Sequence, residues 1–144
     1  NSIIIRTSWV YSSFGNNFVK TMIRLMQKEK AIDVVYDQIG SPTYASDLAN
    51  VIMQIINHNK WLPGIYNYSN EGEISWFDFA LIIKEICDFK VILNPVKSNK
   101  FNSKAIRPKY SLLNKKKIKE TFDLKIPYFK ESLKKCIAIL LNEK

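Results

Sequence analysis

Histidine and cysteine are almost missing from this sequence: His58 stands alone, and Cys87 and Cys136 lie far apart inside apolar helical patterns. A structural zinc site draws on closely spaced thiolates and imidazoles, so no metal site is expected. The two thiols read instead as buried, reduced side chains of a cytoplasmic protein. Glycine is equally scarce. Gly15, Gly40, Gly64 and Gly72 are too dispersed for the turn that cradles a pyrophosphate, and no Gly-Lys-Ser/Thr follows any of them. No apolar run approaches the roughly 18 residues of a membrane-spanning helix, so no membrane partner is expected. His58 sits in the polar stretch Asn57-His58-Asn59-Lys60 at a helix end, where it reads as solvated rather than as a catalytic base. Glu71 and Glu73 flank a turn and read as exposed, so they are not expected to act as a paired acid and base. Composition and spacing alone contain no complete active site.

What is present is an ordinary globular chain: 144 residues, 47% of them hydrophobic, enough for one good core. Its net charge of +9 is unevenly spread. Residues 1–96 carry 8 basic and 9 acidic side chains, residues 97–144 carry 14 and 4. All the basic residues except Arg6, Arg24 and Arg107 are lysines, and no aromatic stripe runs among them. Base readout favours arginine and single strands favour aromatic platforms, so no nucleic-acid partner is expected. The run Lys115-Lys116-Lys117 reads as a solvated face.

The pattern alternates strands and helices. Ile3–Ile5, extending to about Ser8, is an apolar β-branched run of the buried parallel type. Asn16 or Asn17 is placed to cap a helix running from Phe18 to about Lys30. Strands are expected at 32–36, 65–69 and 90–93, and a loop at 37–43. Ser46 or Asp47 caps a helix with the stripe Leu48, Val51, Ile52, Ile55 and Ile56. Ser75 and Asp78 have capping-box spacing before a helix to about Asp88. A polar loop over 95–111 precedes helices at 112–121 and 128–142, the last with Leu133, Cys136, Ile137, Leu140 and Leu141 on one face. The fold class is α/β with mainly parallel strands. Because the chain opens inside core-like sequence, residues 1–144 read as the C-terminal part of a longer protein.

Four blocks carry a more specific signal. They are Arg6-Thr7-Ser8-Trp9-Val10-Tyr11 with Phe14-Gly15-Asn16-Asn17-Phe18-Val19, then Asp37-Gln38-Ile39-Gly40-Ser41-Pro42-Thr43-Tyr44 with Asp47-Leu48-Ala49. Next come Gly64-Ile65-Tyr66-Asn67 with Asn70-Glu71-Gly72-Glu73-Ile74-Ser75-Trp76, and finally Arg107-Pro108-Lys109-Tyr110-Ser111-Leu112-Leu113. In order and spacing they resemble the C-terminal half of dTDP-4-dehydrorhamnose reductases, extended short-chain dehydrogenase/reductases. The resemblance implies a Rossmann-type fold with a small substrate-binding subdomain. It implies reduction of dTDP-4-dehydro-6-deoxy-L-mannose to dTDP-L-rhamnose with NADPH or NADH. The family's Tyr-x-x-x-Lys pair is absent, since none of the seven tyrosines has lysine four residues on. With the glycine-rich turn also absent, the N-terminal dinucleotide-binding half lies outside this chain, and no catalytic residue is expected within it.

Site roles carry over residue by residue. Trp9 matches a tryptophan near sugar and nicotinamide, or is a core aromatic at a strand end; Ser8 and Trp9 are the residues expected toward the cofactor. Asn17 matches a diphosphate-binding position, or is a plain helix cap. Ser41, Pro42 and Thr43 match a loop lining the nucleotide-sugar cleft, or form a structural turn. Arg107 matches an arginine facing the substrate phosphates, or is a solvated loop residue. Ser12 and Ser13 stand where the family has Gly or Ala. A non-catalytic binding or regulatory module of the same family is the alternative function. An apolar strand deprived of its neighbours would self-associate, which makes a homodimer the expected state.

Overall fold

The computed structural model describes residues 1–100 and 107–142. The eight strands are β1 (Ile3–Arg6), β2 (Val10–Tyr11), β3 (Ala31–Val35), β4 (Ile39–Gly40), β5 (Thr43–Tyr44), β6 (Gly64–Asn67), β7 (Ile74–Ser75) and β8 (Ile92–Val96). The α-helices among the described residues are α1 (Phe18–Met26), α2 (Ala45–Ile56), α3 (Trp76–Ile86), α4 (Lys116–Phe122) and α5 (Phe129–Asn142). Among the described residues the strands pair two by two. β1 with β6, β2 with β5 and β3 with β8 are parallel; β4 with β7 is antiparallel. The fold is α/β with mainly parallel strands.

Two apolar clusters form the core. The larger gathers Val19 and Met22 of α1, Val34 of β3, Phe79 and Ile83 of α3, and Phe129, Leu133, Cys136 and Ile137 of α5. The other joins Val51 and Ile55 of α2 to Tyr66, Tyr68, Ile118, Phe122 and Leu124, with Ile3 and Ile5 packed against it. Strand β1 alternates, so Ile3 and Ile5 face this cluster while Ile4 is 51% exposed beside its partner Ile65 at 46%.

Several sequence expectations need correction. Strand β1 stops at Arg6 rather than Ser8, because the chain turns out of the sheet before Trp9, whose φ is +49°. Helix α1 ends at Met26, where Gln27 caps it, not at Lys30. Neither Ser46 nor Asp47 caps α2: the N-cap is Tyr44, without a side-chain bond, and Asp47 lies within the first turn. Ile52 and Ile56 of the α2 stripe and Leu141 of α5 are exposed, although each fits the helical period. The fourth long strand is β8, shifted to 92–96; it pairs only with β3, and an edge strand tolerates Pro95. Helix α4 starts at Lys116, not 112. The loop expected at 37–43 contains β4 and β5, two-residue strands too short to show a period. Of the loop expected at 95–111, residues 101–106 lie outside the described residues. Asn17 and Ser75 do cap their helices, accepting from the amides of Lys20 and Asp78.

Lys115 overturns the solvated-lysine reading. It is 8% exposed, and its Nζ lies 3.2 Å from Glu71 Oε2 and donates to the Asn70 carbonyl at 3.1 Å. Lys119 holds the other Glu71 oxygen at 2.9 Å, and Lys117 donates to the Ile65 carbonyl with its charge 4.7 Å above the Tyr66 ring. Desolvation alone would raise the Glu71 pKa, but the two lysines outweigh it and hold the carboxyl below its ordinary 4.5. A depressed folded value means the native state favours the ionised form. This contribution is therefore complete above about pH 4.5 and disappears as pH falls through the folded value. Urea midpoints of the wild type and Glu71→Gln should differ at neutral pH and converge in acid; a constant gap would refute this role.

Candidate functional site

The C-terminal ends of parallel strands are where α/β folds place ligands. Here β1 delivers Thr7, Ser8 and Trp9. The Thr7 hydroxyl lies 3.2 Å from Thr43 Oγ1, the Ser8 hydroxyl donates to the Ser41 carbonyl at 3.3 Å, and the Thr43 amide donates to the Trp9 carbonyl at 3.1 Å. These bonds tie the end of β1 to the segment 41–43. Trp9 itself is half-buried in a left-handed conformation that large side chains rarely adopt, so its surroundings must hold it there. Its indole stacks on Trp76 with ring centres 3.6 Å apart and planes 11° apart, and Phe18 leans on Trp76 at 4.5 Å. Gly40 closes in on Trp9: a Cβ there would fall 2.8 Å from the indole ring and 2.9 Å from Ser111 Oγ.

A cavity of about 450 Å³ opens between α1, β3 and the start of α3. Phe18, Met22, Leu25, Ile32 and Trp76 supply apolar walls, while Asp33, Gln38, Ser98 and Arg107 supply polar groups. Arg107 comes from far along the chain. Residues 109–111 run beside β4, with the Ile39 amide donating to the Lys109 carbonyl at 2.8 Å and the Ser111 amide to the Ile39 carbonyl at 2.9 Å. That strap carries the exposed Arg107 to the cavity. Desolvation would raise the Asp37 pKa, but the Ser98 amide (2.8 Å) and hydroxyl (3.0 Å) outweigh it, keep it below the usual carboxylate range and anchor the turn bearing Ser98. Asp33 is likewise held low, by Lys100 first and Asn94 second. The arrangement suits a flat, mostly apolar body with an anionic group within reach of one guanidinium.

The candidate residues divide into three groups. Trp9 and Arg107 converge on this region, Trp9 through its contact with Trp76. Asn17 sits at the N-terminus of α1, one residue before the cavity wall at Phe18; its amide nitrogen donates to Ser12 O at 2.8 Å while its oxygen takes the Lys20 amide at 3.2 Å. Ser41, Pro42 and Thr43 do not line the cavity and are all buried. The Ser41 hydroxyl donates to the Asn70 carbonyl at 2.6 Å, and the Pro42 carbonyl accepts the Asn70 amide at 3.2 Å. Sequence reasoning assigned no role to Phe18, Trp76, Asp33, Gln38 or Ser98. Trp76 ends one of the matching blocks, the one signal that could have found it; Ser98 and Asp33 carry no local pattern. Among the described residues no cluster suited to a metal ion is formed, and no helix is long and apolar enough to cross a membrane.

Comparison with known proteins gives the family. Residues 1–142 match the RmlD substrate binding domain. The spore coat polysaccharide biosynthesis protein SpsK of Bacillus subtilis is 43% identical over 120 residues, covering 83% of this chain and 41% of that protein. The dTDP-4-dehydrorhamnose reductase of Aggregatibacter actinomycetemcomitans is 37% identical over 143 residues, 92% of this chain and 49% of its own. The crystal structure of dTDP-4-dehydrorhamnose reductase from Bacillus anthracis, in complex with NADP, superposes with a TM-score of 0.87 at 42% identity, covering 95% of this chain and 48% of that one. The chain thus spans less than half the length of these relatives. A family match over nearly every residue, together with relatives of this identity, establishes that the chain belongs to the RmlD substrate-binding domain family.

Proposed function

We propose that this chain is the nucleotide-sugar-binding half of a dTDP-4-dehydrorhamnose reductase. One observation carries the reading: in a chain of this family, Arg107 and the aromatic walls Phe18 and Trp76 meet in one open cavity. The thymine end of a dTDP-sugar lies against those walls, and Arg107 takes the phosphates with its fork of donors. Asn17 and the free amides at the start of α1 add to the phosphate side. The buried Ser41–Thr43 segment holds the shape of the cleft, and Trp9 offers the sugar an apolar wall. Ser8 and Trp9 lie at the end of a parallel strand and fit the nicotinamide end of NADPH or NADH, the hydride donor of the complete enzyme. The pyrophosphate of such a cofactor finds no glycine-rich turn here. With no Tyr-x-x-x-Lys pair either, this chain binds and orients but does not protonate the sugar oxygen.

The reading also implies where the other half joins. The Ser2 and Arg6 carbonyls accept from Gly64 and Tyr68, so by the two-residue period the amides of Ile3 and Ile5 point to the opposite edge of β1. Lys117 covers β6, whereas no described strand covers that edge of β1. A groove lined by Ile3, Ile5, Ile52, Ile56 and Trp61 lies alongside. We therefore place the dinucleotide-binding half against β1, and the complete enzyme in the cytoplasm. Alone, the chain should self-associate through this face: light scattering is expected to give a dimer, and a clean monomer would overturn that expectation.

Calorimetry with dTDP and dTDP-L-rhamnose tests the main proposal. Both should bind, and Arg107→Ala should weaken dTDP by about tenfold. NADPH oxidation with the keto-sugar should be absent; turnover by this chain alone would refute the division of labour. The second reading is a non-catalytic binding module of the same family, which an upstream half without a Tyr-x-x-x-Lys pair would favour. Reductase activity of the full-length protein separates the two.

A further inference from the structure

We propose that Trp76 has two roles: it is a wall of the nucleotide cavity and the support that fixes Trp9, so that a pyrimidine nucleoside diphosphate in the cavity is sensed at Trp9. The inference rests on the nucleotide-sugar reading and deepens it. Trp9 does not line the cavity, whereas Trp76 does, and the two indoles share a stacked face at 3.6 Å. Trp76 therefore touches both the place for the base and the tryptophan assigned to the sugar. Its backbone is well fixed. It is the first residue of α3, directly after the Ser75 cap, whose hydroxyl accepts the Asp78 amide at 3.0 Å and donates to the Asp78 carboxylate at 2.6 Å.

Its ring has little freedom either. Phe18 leans on Trp76 from α1, and Phe18 is itself stacked with Phe79 in the core at 5.7 Å. Trp9 also runs close to Gly40, where a Cβ would fall 2.8 Å from its ring. A base laid against Trp76 gains aromatic contact whatever its exact identity. A tilt it imposes on Trp76 is passed to Trp9 through the stacked face that the two indoles share. Trp76 is accordingly a positioning residue for Trp9 as well as a binding residue for the nucleotide.

Two stacked indoles couple their electronic transitions and give a paired circular-dichroism band, a signature separate from binding itself. The 144-residue chain is titrated with dTDP, followed by calorimetry and by this band. The band should be present in the wild type, persist in Trp61→Phe, and disappear in Trp76→Phe and Trp76→Tyr. In the wild type, dTDP should change its intensity along the same isotherm that calorimetry records. Both Trp76 variants should bind dTDP about tenfold more weakly. Binding by calorimetry with an unaltered band in the wild type would overturn the link to Trp9, and this requires no variant. Undiminished dTDP affinity in folded Trp76 variants would overturn the wall role. If the wild type binds no dTDP at all, the nucleotide-sugar reading itself falls, and this inference with it.

Discussion

Asn70→Ala should unfold this chain more readily than any surface change. Asn70 is fully buried and its side chain joins four parts of the fold. The amide nitrogen donates to Asp47 Oδ2 at 2.6 Å, Ser132 Oγ at 3.1 Å and the Pro127 carbonyl at 3.2 Å; the amide oxygen accepts from the Tyr44 backbone at 2.8 Å. These bonds fasten the first turns of α2 and α5 to the segment between β6 and β7. Alanine leaves the Tyr44 amide without its acceptor and the Asp47 carboxylate with Ser132 alone, 2.5 Å away. Two stranded groups of this kind cost roughly 3–4 kcal/mol. Total stability is about 5–15 kcal/mol, so the thermal midpoint should fall by about 10 °C. Asn70→Asp should not rescue it, because the new carboxylate would face Asp47. Ser46→Ala, at an exposed position in the same first turn of α2, should leave the midpoint unchanged. A fall of less than about 1 kcal/mol for Asn70→Ala would show that the network is not holding these elements together.

Gly40→Ala should disturb the site from beneath. The added methyl would fall 2.8–2.9 Å from the Trp9 ring and 2.9 Å from Ser111 Oγ. Trp9 is also stacked on Trp76, and Ser111 is held to Ile39 by its amide and by its hydroxyl at 3.2 Å. Overpacking of this type costs roughly 1–3 kcal/mol. The larger consequence is positional: Trp9 shifts, the stack opens, and the strap that carries Arg107 moves off β4. The coupled-indole band and dTDP affinity should therefore both fall while the helical signal persists. An alanine variant that keeps the band would show that β4 yields more easily than the close contact implies.

How much of this was legible beforehand can be argued from single residues. Asn17 and Ser75 were visible as caps because a cap is a local bond, between a side chain and an amide three residues on. The helices α1, α2, α3 and α5 were visible because apolar residues at helical spacing are a local pattern too. Asp47 misled for the same reason. It sits at a natural capping position, yet its carboxylate is used by Asn70 and Ser132, and Ser132 is 85 residues away. Lys115 misled by belonging to a lysine run, when the fold pairs it with Glu71 and buries it.

From its sequence alone, the chain was readable as an α/β unit without a glycine-rich turn or a Tyr-x-x-x-Lys pair, and as a relative of nucleotide-sugar reductases. Those properties depend on residue identity and short-range spacing, which chain order preserves. The cavity was decided only in three dimensions. Phe18, Ile32, Trp76 and Arg107 line it because α1, β3, α3 and the segment that follows residue 106 come together, and no local pattern records which distant elements become neighbours. The same holds for the left-handed Trp9. Its conformation is unfavourable by itself and persists because Thr43, Gly40 and Trp76 jointly hold it in place.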